Sequence, residues 1–319
     1  HVPRRFGWDC HGLPVEFEIN KTLQIENRKQ VLAMGIDKYN STCRSIVNRY
    51  TTEWKTTVER VGRWVDMENA YFTMQPSFMQ SVWWVFSELF KKGLIYEGYK
   101  VVPYSVGVST PLSNFEANLN YKDVQDPALT IAFKVDGASD EFTLAWTTTP
   151  WTLPSNLGLA VGKEIEYVQV RITPDGPRYW VAEKLLKTIF GEKAAPEILD
   201  RKTGDGLVGK SYVPLFPYFA SKKSQGAFKV ILADHVTTES GTGIVHMAPA
   251  FGEEDFEACK KAGIPMVNPV DDDGMFTSEV PEWKGKRVKD ADREIIARLK
   301  AEGKLFKHDT IVHSYPYCW

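Results

Sequence analysis

Two well-separated segments carry side chains that can act on a small polar substrate. The first reads Trp146-Thr147-Thr148-Thr149-Pro150-Trp151-Thr152-Leu153-Pro154-Ser155-Asn156, with hydroxyls and one amide held among rigid prolines and indoles. The second reads Gly241-Thr242-Gly243-Ile244-Val245-His246-Met247-Ala248-Pro249-Ala250-Phe251-Gly252-Glu253-Glu254-Asp255 and supplies one imidazole and one carboxylate. Hydroxyls both donate and accept hydrogen bonds, which suits contacts to water or to a sugar. A carboxylate in a partly dry pocket pairs with an ammonium. Together these groups would line a pocket that positions water and reads an amine. Plainer readings stand beside this one. Threonines decorate β-strands, Asp255 complements the dipole of the helix opened by Gly252, and His246 is a satisfied core residue on an apolar strand.

Such a pocket needs elements to hold it. The chain up to about residue 100 reads as helical. From Asp37 to Val61 the apolar positions Tyr39, Cys43, Ile46, Tyr50, Trp54, Val58 and Val61 recur three or four apart, predicting one buried face of a long helix closed by Gly62. A second helix is predicted from Pro76, with Phe78, Val82, Val85, Phe86 and Leu89 as its stripe and Gly93 as its stop. The Trp83-Trp84 pair is expected to pack in a core. Beyond Val101 the pattern turns to short β runs at Leu129–Val135, Phe142–Trp146, Tyr167–Arg171, Arg178–Ala182, Val230–Ala233 and Ile244–Ala248. Helices are expected only at Glu183–Phe190, Glu253–Ala262 and Asp290–Ala301. Many strands at short spacing imply a closed or nearly closed β-barrel with peripheral helices.

Composition narrows the function classes. The 319 residues are long for one domain, and 43% apolar with 13% aromatic residues is enough for a sizeable core. A net charge of −2 gives no general nucleic-acid signal. Locally, Lys284 to Lys307 holds nine basic and four acidic residues, a net of +5, which suits either phosphate contacts or a solvated helix face. No run of about 18 apolar residues is present, so no membrane span is expected. Cys10, Cys43, Cys259 and Cys318 form no CxxC pair, so no metal site is expected and free cytosolic thiols are the plain reading. Aligning Gly274 of Asp271-Asp272-Asp273-Gly274 with a calcium-loop glycine puts Pro269 and Val280 at ligand positions, so a polar turn is expected instead. The first residue is His1, no initiator Met is present and the last residue is Trp319, from which a fragment of a longer protein is expected.

Several motifs resemble the Ile/Val/Leu group of class I aminoacyl-tRNA synthetases. Arg4-Arg5-Phe6-Gly7-Trp8-Asp9-Cys10-His11-Gly12-Leu13-Pro14-Val15-Glu16 is similar to the segment after the first ATP-binding signature of isoleucyl-tRNA synthetases. The likeness continues through Tyr71-Phe72-Thr73-Met74 and Lys92-Gly93-Leu94-Ile95-Tyr96-Glu97-Gly98. It closes at His313-Ser314-Tyr315-Pro316-Tyr317-Cys318-Trp319, which resembles the strand returning to the catalytic domain. The two chemical segments resemble the proofreading pocket of the group.

The resemblance implies an α+β fold. Residues 1–124 would be a helical part bordering an incomplete Rossmann core, 125–305 a β-barrel editing domain, and 306–319 the return strand. It implies removal of valine from mischarged tRNA(Ile), with Thr147, Thr148, Thr149 and Asn156 positioning water and ester and Asp255 holding the ammonium. His246, Trp146 and Met247 would bind the amino-acid side chain, with His246 gating its size. The partners implied are the tRNA 3′ end and a valyl ester, for a cytoplasmic monomer. Editing needs no cofactor. ATP and magnesium belong to the full-length parent, whose His-Ile-Gly-His and Lys-Met-Ser-Lys-Ser signatures are not in these residues. Where bacterial members carry Cys-x-x-Cys, this chain reads Tyr104-Ser105-Val106-Gly107-Val108-Ser109, which leaves no zinc ligands there. A non-catalytic tRNA-binding module and a valyl or leucyl editing domain stay open as alternatives.

Overall fold

The computed structural model describes residues 2–107, 109–117 and 120–317. Val108, Cys318 and Trp319 of the motifs above lie outside the described residues. The chain forms two compact units, residues 1–99 and 100–319, so positions 125 and 305 both fall inside the second.

The first unit runs β1 (Arg5–Trp8), α1 (Leu13–Leu23), α2 (Arg28–Met34), α3 (Ile36–Arg60), β2 (Asp66–Phe72) and α4 (Pro76–Lys91), with β1 parallel to β2. The two predicted helices are α3 and α4, and Gly62 and Gly93 take the left-handed φ that ends each. Their predicted faces fare less well. On α3, Tyr39, Val47 and Val58 are buried, but Trp54 and Val61 are exposed. On α4 the expected core packing of the tryptophans is corrected, because Trp83 is 71% and Trp84 64% exposed. Val82, Val85, Phe86 and Leu89 are exposed too. Periodicity shows which positions of a helix want cover; it does not supply the covering element.

The second unit is mixed α+β. It runs β3 (Tyr104–Ser105), β4 (Thr110–Pro111), α5 (Asn114–Ala117), β5 (Asn120–Lys134), β6 (Glu141–Thr147), β7 (Gly158–Val161), β8 (Glu166–Arg171), β9 (Arg178–Ala182), α6 (Leu186–Phe190), β10 (Glu197–Thr203), β11 (Lys229–Leu232), β12 (Ile244–Met247), α7 (Glu253–Lys261), α8 (Val288–Ala301) and β13 (Leu305–Tyr317). One curled sheet dominates. Within it β5, β6, β12, β7 and β11 are successive neighbours. The 209–213 segment then bonds to β11 (Val230 N–H to Lys210 O, 2.9 Å) and to the end of β5 (Val213 N–H to Lys134 O, 2.8 Å), bringing the sheet back on itself. Strands β9, β8 and β10 splay from the first half of β6, and β13 lies antiparallel along β5. This is the barrel-like architecture expected.

Strands β7 and β10 had no sequence signal. β7 is buried at every position and so shows no alternation. β10 is a charged strand at the end of the sheet, of the kind that resists further pairing. The core joins Leu129, Ile131, Leu144, Leu159, Ile244 and Met247 from the strands to Ile295 and Leu299 from α8. The Asp271 carboxylate accepts from the N–H groups of Asp273 (3.0 Å) and Met275 (2.9 Å), the expected polar turn.

Candidate functional site

β6 carries Trp146 and Thr147 to the rim of the barrel and stops where Pro150 opens a tight 3₁₀ turn, Pro150–Ser155. That turn folds hydroxyls onto one another. Thr147 Oγ1 accepts the Thr149 N–H (3.2 Å) and lies 3.2 Å from Thr149 Oγ1, which lies 3.3 Å from Thr152 Oγ1. Strand β12 runs beside it, pairing Val245 with Trp146 on one side and His246 with Leu159 on the other. The register rests on Gly241 and Gly243, both at φ 72°. A Cβ on Gly241 would come within 3.0 Å of Trp146, and one on Gly243 within 2.4 Å of Ala182.

His246 is buried, and both its nitrogens are used. Nδ1 is 2.8 Å from Asn156 Nδ2 and Nε2 is 2.9 Å from Thr152 Oγ1. The proton positions follow by elimination. Asn156 Nδ2 also donates to the Gly158 carbonyl (2.9 Å), which fixes the orientation of the amide, and its Oδ1 accepts from Tyr212 OH (2.7 Å). Nδ1 is therefore an acceptor and Nε2 carries the hydrogen. Thr152 accepts it and donates its own proton to the Thr149 carbonyl (2.8 Å). Burial pushes the imidazole down to about 3, so His246 is neutral and held in one tautomer.

Asp255 is the contrast. It sits half-buried in the first turn of α7, and its Oδ2 accepts the Ala248 N–H (2.8 Å). Burial raises its carboxyl to about 6, and among the described residues no cation forms an ion pair with it. An acid desolvated without a cation gains most when a cation arrives.

The cleft between these walls holds about 270 Å³, and Trp146, Thr147, Thr148, Thr149, His246 and Asp255 all line it. Two expected residues do not. Asn156 is buried behind His246 and positions that ring. Met247 is fully buried in the core, because neighbours along a strand face opposite sides. The lining also includes Thr152 and His235, which sequence reading missed. Thr152 left a faint signal, three residues after Thr149 across a proline. His235 and Tyr212 left none, since long-range folding alone brings them in.

Elsewhere, Cys10 Sγ donates to the Trp8 carbonyl (3.3 Å), and burial pushes the Cys259 thiol up to about 12. Among the described residues no three His, Cys, Asp or Glu side chains form a metal cage. Within the basic stretch Lys286, Lys289, Arg298, Lys304 and Lys307 are ion-paired, Lys289 with Asp126 and Lys307 with Asp309. No described helix is long and apolar enough to cross a membrane.

A family model described as tRNA synthetases class I (I, L, M and V) matches residues 1–181. The chain belongs to that family. It is 68% identical over its whole length to an isoleucine–tRNA ligase of Bdellovibrio bacteriovorus, of which it covers 30%. It is 54% identical over its whole length to the cytoplasmic isoleucine–tRNA ligase of Schizosaccharomyces pombe, of which it covers 31%. The chain thus spans about a third of the length of these relatives. Among solved structures, a P. knowlesi cytosolic leucyl-tRNA synthetase editing domain matches 64% of this chain and all of its own, at 11% identity and a TM-score of 0.44.

Proposed function

We propose that the chain is the editing region of an isoleucyl-tRNA synthetase and hydrolyses valine esterified to tRNA(Ile). The observation that carries this reading is the presence, in one cleft, of an acid with no ion-paired cation among the described residues, a row of threonine hydroxyls and an imidazole that has no free lone pair. The full-length identity to isoleucine–tRNA ligases supports the choice of amino acid and tRNA. An aminoacyl ester is intrinsically labile, so the protein need only hold the amine, place water at the carbonyl and stabilise developing charge. Asp255 takes the α-ammonium. The Thr147–Thr149 hydroxyls face the ester and the water. No cofactor enters this scheme, and ATP and magnesium serve only the parent enzyme. We take the chain to act as a monomer in the cytoplasm.

A second sieve answers a limit of binding. A pocket that accepts isoleucine gains only about 1–3 kcal/mol from the methylene that valine lacks. That figure is general to this pair of amino acids and is not obtained from this chain. In the cleft, His246 stands where steric exclusion can act, and overpacking by one methylene costs about 1–3 kcal/mol. It is no general base, since Nδ1 is already an acceptor in the network and the ring resists protonation down to about 3.

The test is release of amino acid from valyl-, threonyl- and isoleucyl-tRNA(Ile). Hydrolysis of the valyl ester with the isoleucyl ester spared supports the reading. A chain that binds tRNA but releases nothing would be a binding module, and preference for another tRNA would point to a valyl or leucyl editing domain. His246→Ala is expected to gain activity on isoleucyl-tRNA(Ile) and keep it on the valyl ester. Loss on both would instead make His246 a base.

A further inference from the structure

Two imidazoles line the cleft, and only one is used up. His235, in the connection after β11, also lines it. Its ring is half-buried, yet Nε2 is shielded from solvent and has no partner among the described residues. A shielded nitrogen without a partner is costly, and at the wall of a cleft an entering ligand group can supply that partner. His235 and Asp255 line the same cleft.

Resting on the editing reading, we infer that His235 is a second reader of the substrate's α-ammonium, acting beside Asp255. An ammonium carries three N–H donors and is poorly served by one carboxylate. Asp255 already spends one oxygen on the Ala248 N–H. The hydroxyls of Thr147, Thr149 and Thr152 bond to one another and to His246, and in the editing reading the Thr147–Thr149 row serves the ester and the water rather than the amine. Thr237 and Ser240 also line the cleft but lie exposed, where water competes. An imidazole with its hydrogen on Nδ1 presents Nε2 as a further acceptor. The substrate class selected is an α-amino ester, discriminated from the α-hydroxy ester of the same shape.

The experiment compares valyl-tRNA(Ile) with its 2-hydroxyisovaleryl counterpart, made by nitrous-acid deamination, in the wild type, His235→Phe and His235→Gln. A hydrogen bond to a charged group corresponds to roughly ten- to hundredfold in kcat/KM. His235→Phe keeps a ring but removes both nitrogens, and is expected to lose about that factor on the valyl ester and distinctly less on the hydroxy ester, whose hydroxyl makes only a neutral hydrogen bond. His235→Gln retains an acceptor and is expected to recover part of the loss, which also covers a failure of the phenylalanine variant to fold. Equal losses on both esters, or none on either, would overturn the role of His235 alone. A wild-type chain inert toward both esters would overturn the editing reading and this inference with it.

Discussion

The His246 wall of the cleft and the Asp255 wall lie on neighbouring elements but obey opposite rules. At His246 every donor and acceptor from Tyr212 through Asn156 and Thr152 to the Thr149 carbonyl is matched, and the ring is neutral well below its ordinary range. At Asp255 one oxygen is bonded, the carboxyl is raised by burial, and the nearby His235 has an unpartnered nitrogen. A closed network sets a shape and resists change. An open one is held at a cost to the empty protein, and that cost is offset only when a ligand completes it. The two walls therefore serve different ends, rigid exclusion on one side and binding on the other.

The largest expected effect breaks the open wall. Asp255→Asn should lower kcat/KM on valyl-tRNA(Ile) by a factor equivalent to about 1.5–3 kcal/mol, the value of a hydrogen bond to a charged group. The same substitution should leave thermal stability at pH 7.5 equal or higher, because it removes a desolvated charge. A large fall in stability with activity intact would make Asp255 a structural acid.

Breaking the closed wall should do the reverse. Thr152→Val leaves the His246 Nε2–H buried without an acceptor and should cost about 1–3 kcal/mol of folding stability, read by denaturant unfolding. If stability is unchanged, the Thr152–His246 hydrogen bond does not help to hold the closed wall.

pH separates the walls next. Asp255 must be ionised to hold an ammonium, and its carboxyl lies near 6 in the empty protein. kcat/KM should therefore fall as pH drops through about 6, and this limb should vanish in Asp255→Asn. His246 acts on stability instead. Its pKa is about 3 folded against 6.5 unfolded, so the unfolded chain takes up the proton first. Stability from this group is present above pH 6.5 and is lost as pH falls toward 3. A stability profile flat across that window would mean the ring is not buried and neutral.

The smallest effect tests whether an unsatisfied acid outside the cleft behaves as Asp255 does. Asp292, on α8, is buried, its Oδ1 lacks a partner, and burial raises its carboxyl to about 6. Raised acids favour the protonated fold, so their penalty appears as pH climbs from about 4 to 6. After allowing for solvent screening, Asp292→Asn should add about 1–2 kcal/mol at pH 7.5 and little at pH 4. Unlike Asp255→Asn, it should leave deacylation unchanged.

What could be read from the chain alone was local. Hydrophobic spacing marked α3 and α4, and runs of β-branched and aromatic residues marked six strands, because each signal is written in a few consecutive residues. The motif resemblance picked out Thr147, Thr148, Thr149, His246 and Asp255, all of which reach one cleft. The rest needed the fold. Only pairing across β6, β12 and β7 turned His246 toward the cleft and Met247 into the core. Tyr212 reached Asn156, and His235 the cleft, across stretches of sequence that carry no sign of the contact. Burial went unread in both directions, leaving Trp83 and Trp84 exposed and β7 covered on both faces. A side chain's protonation and exposure depend on whatever the remote chain brings against it, and that is settled by tertiary packing.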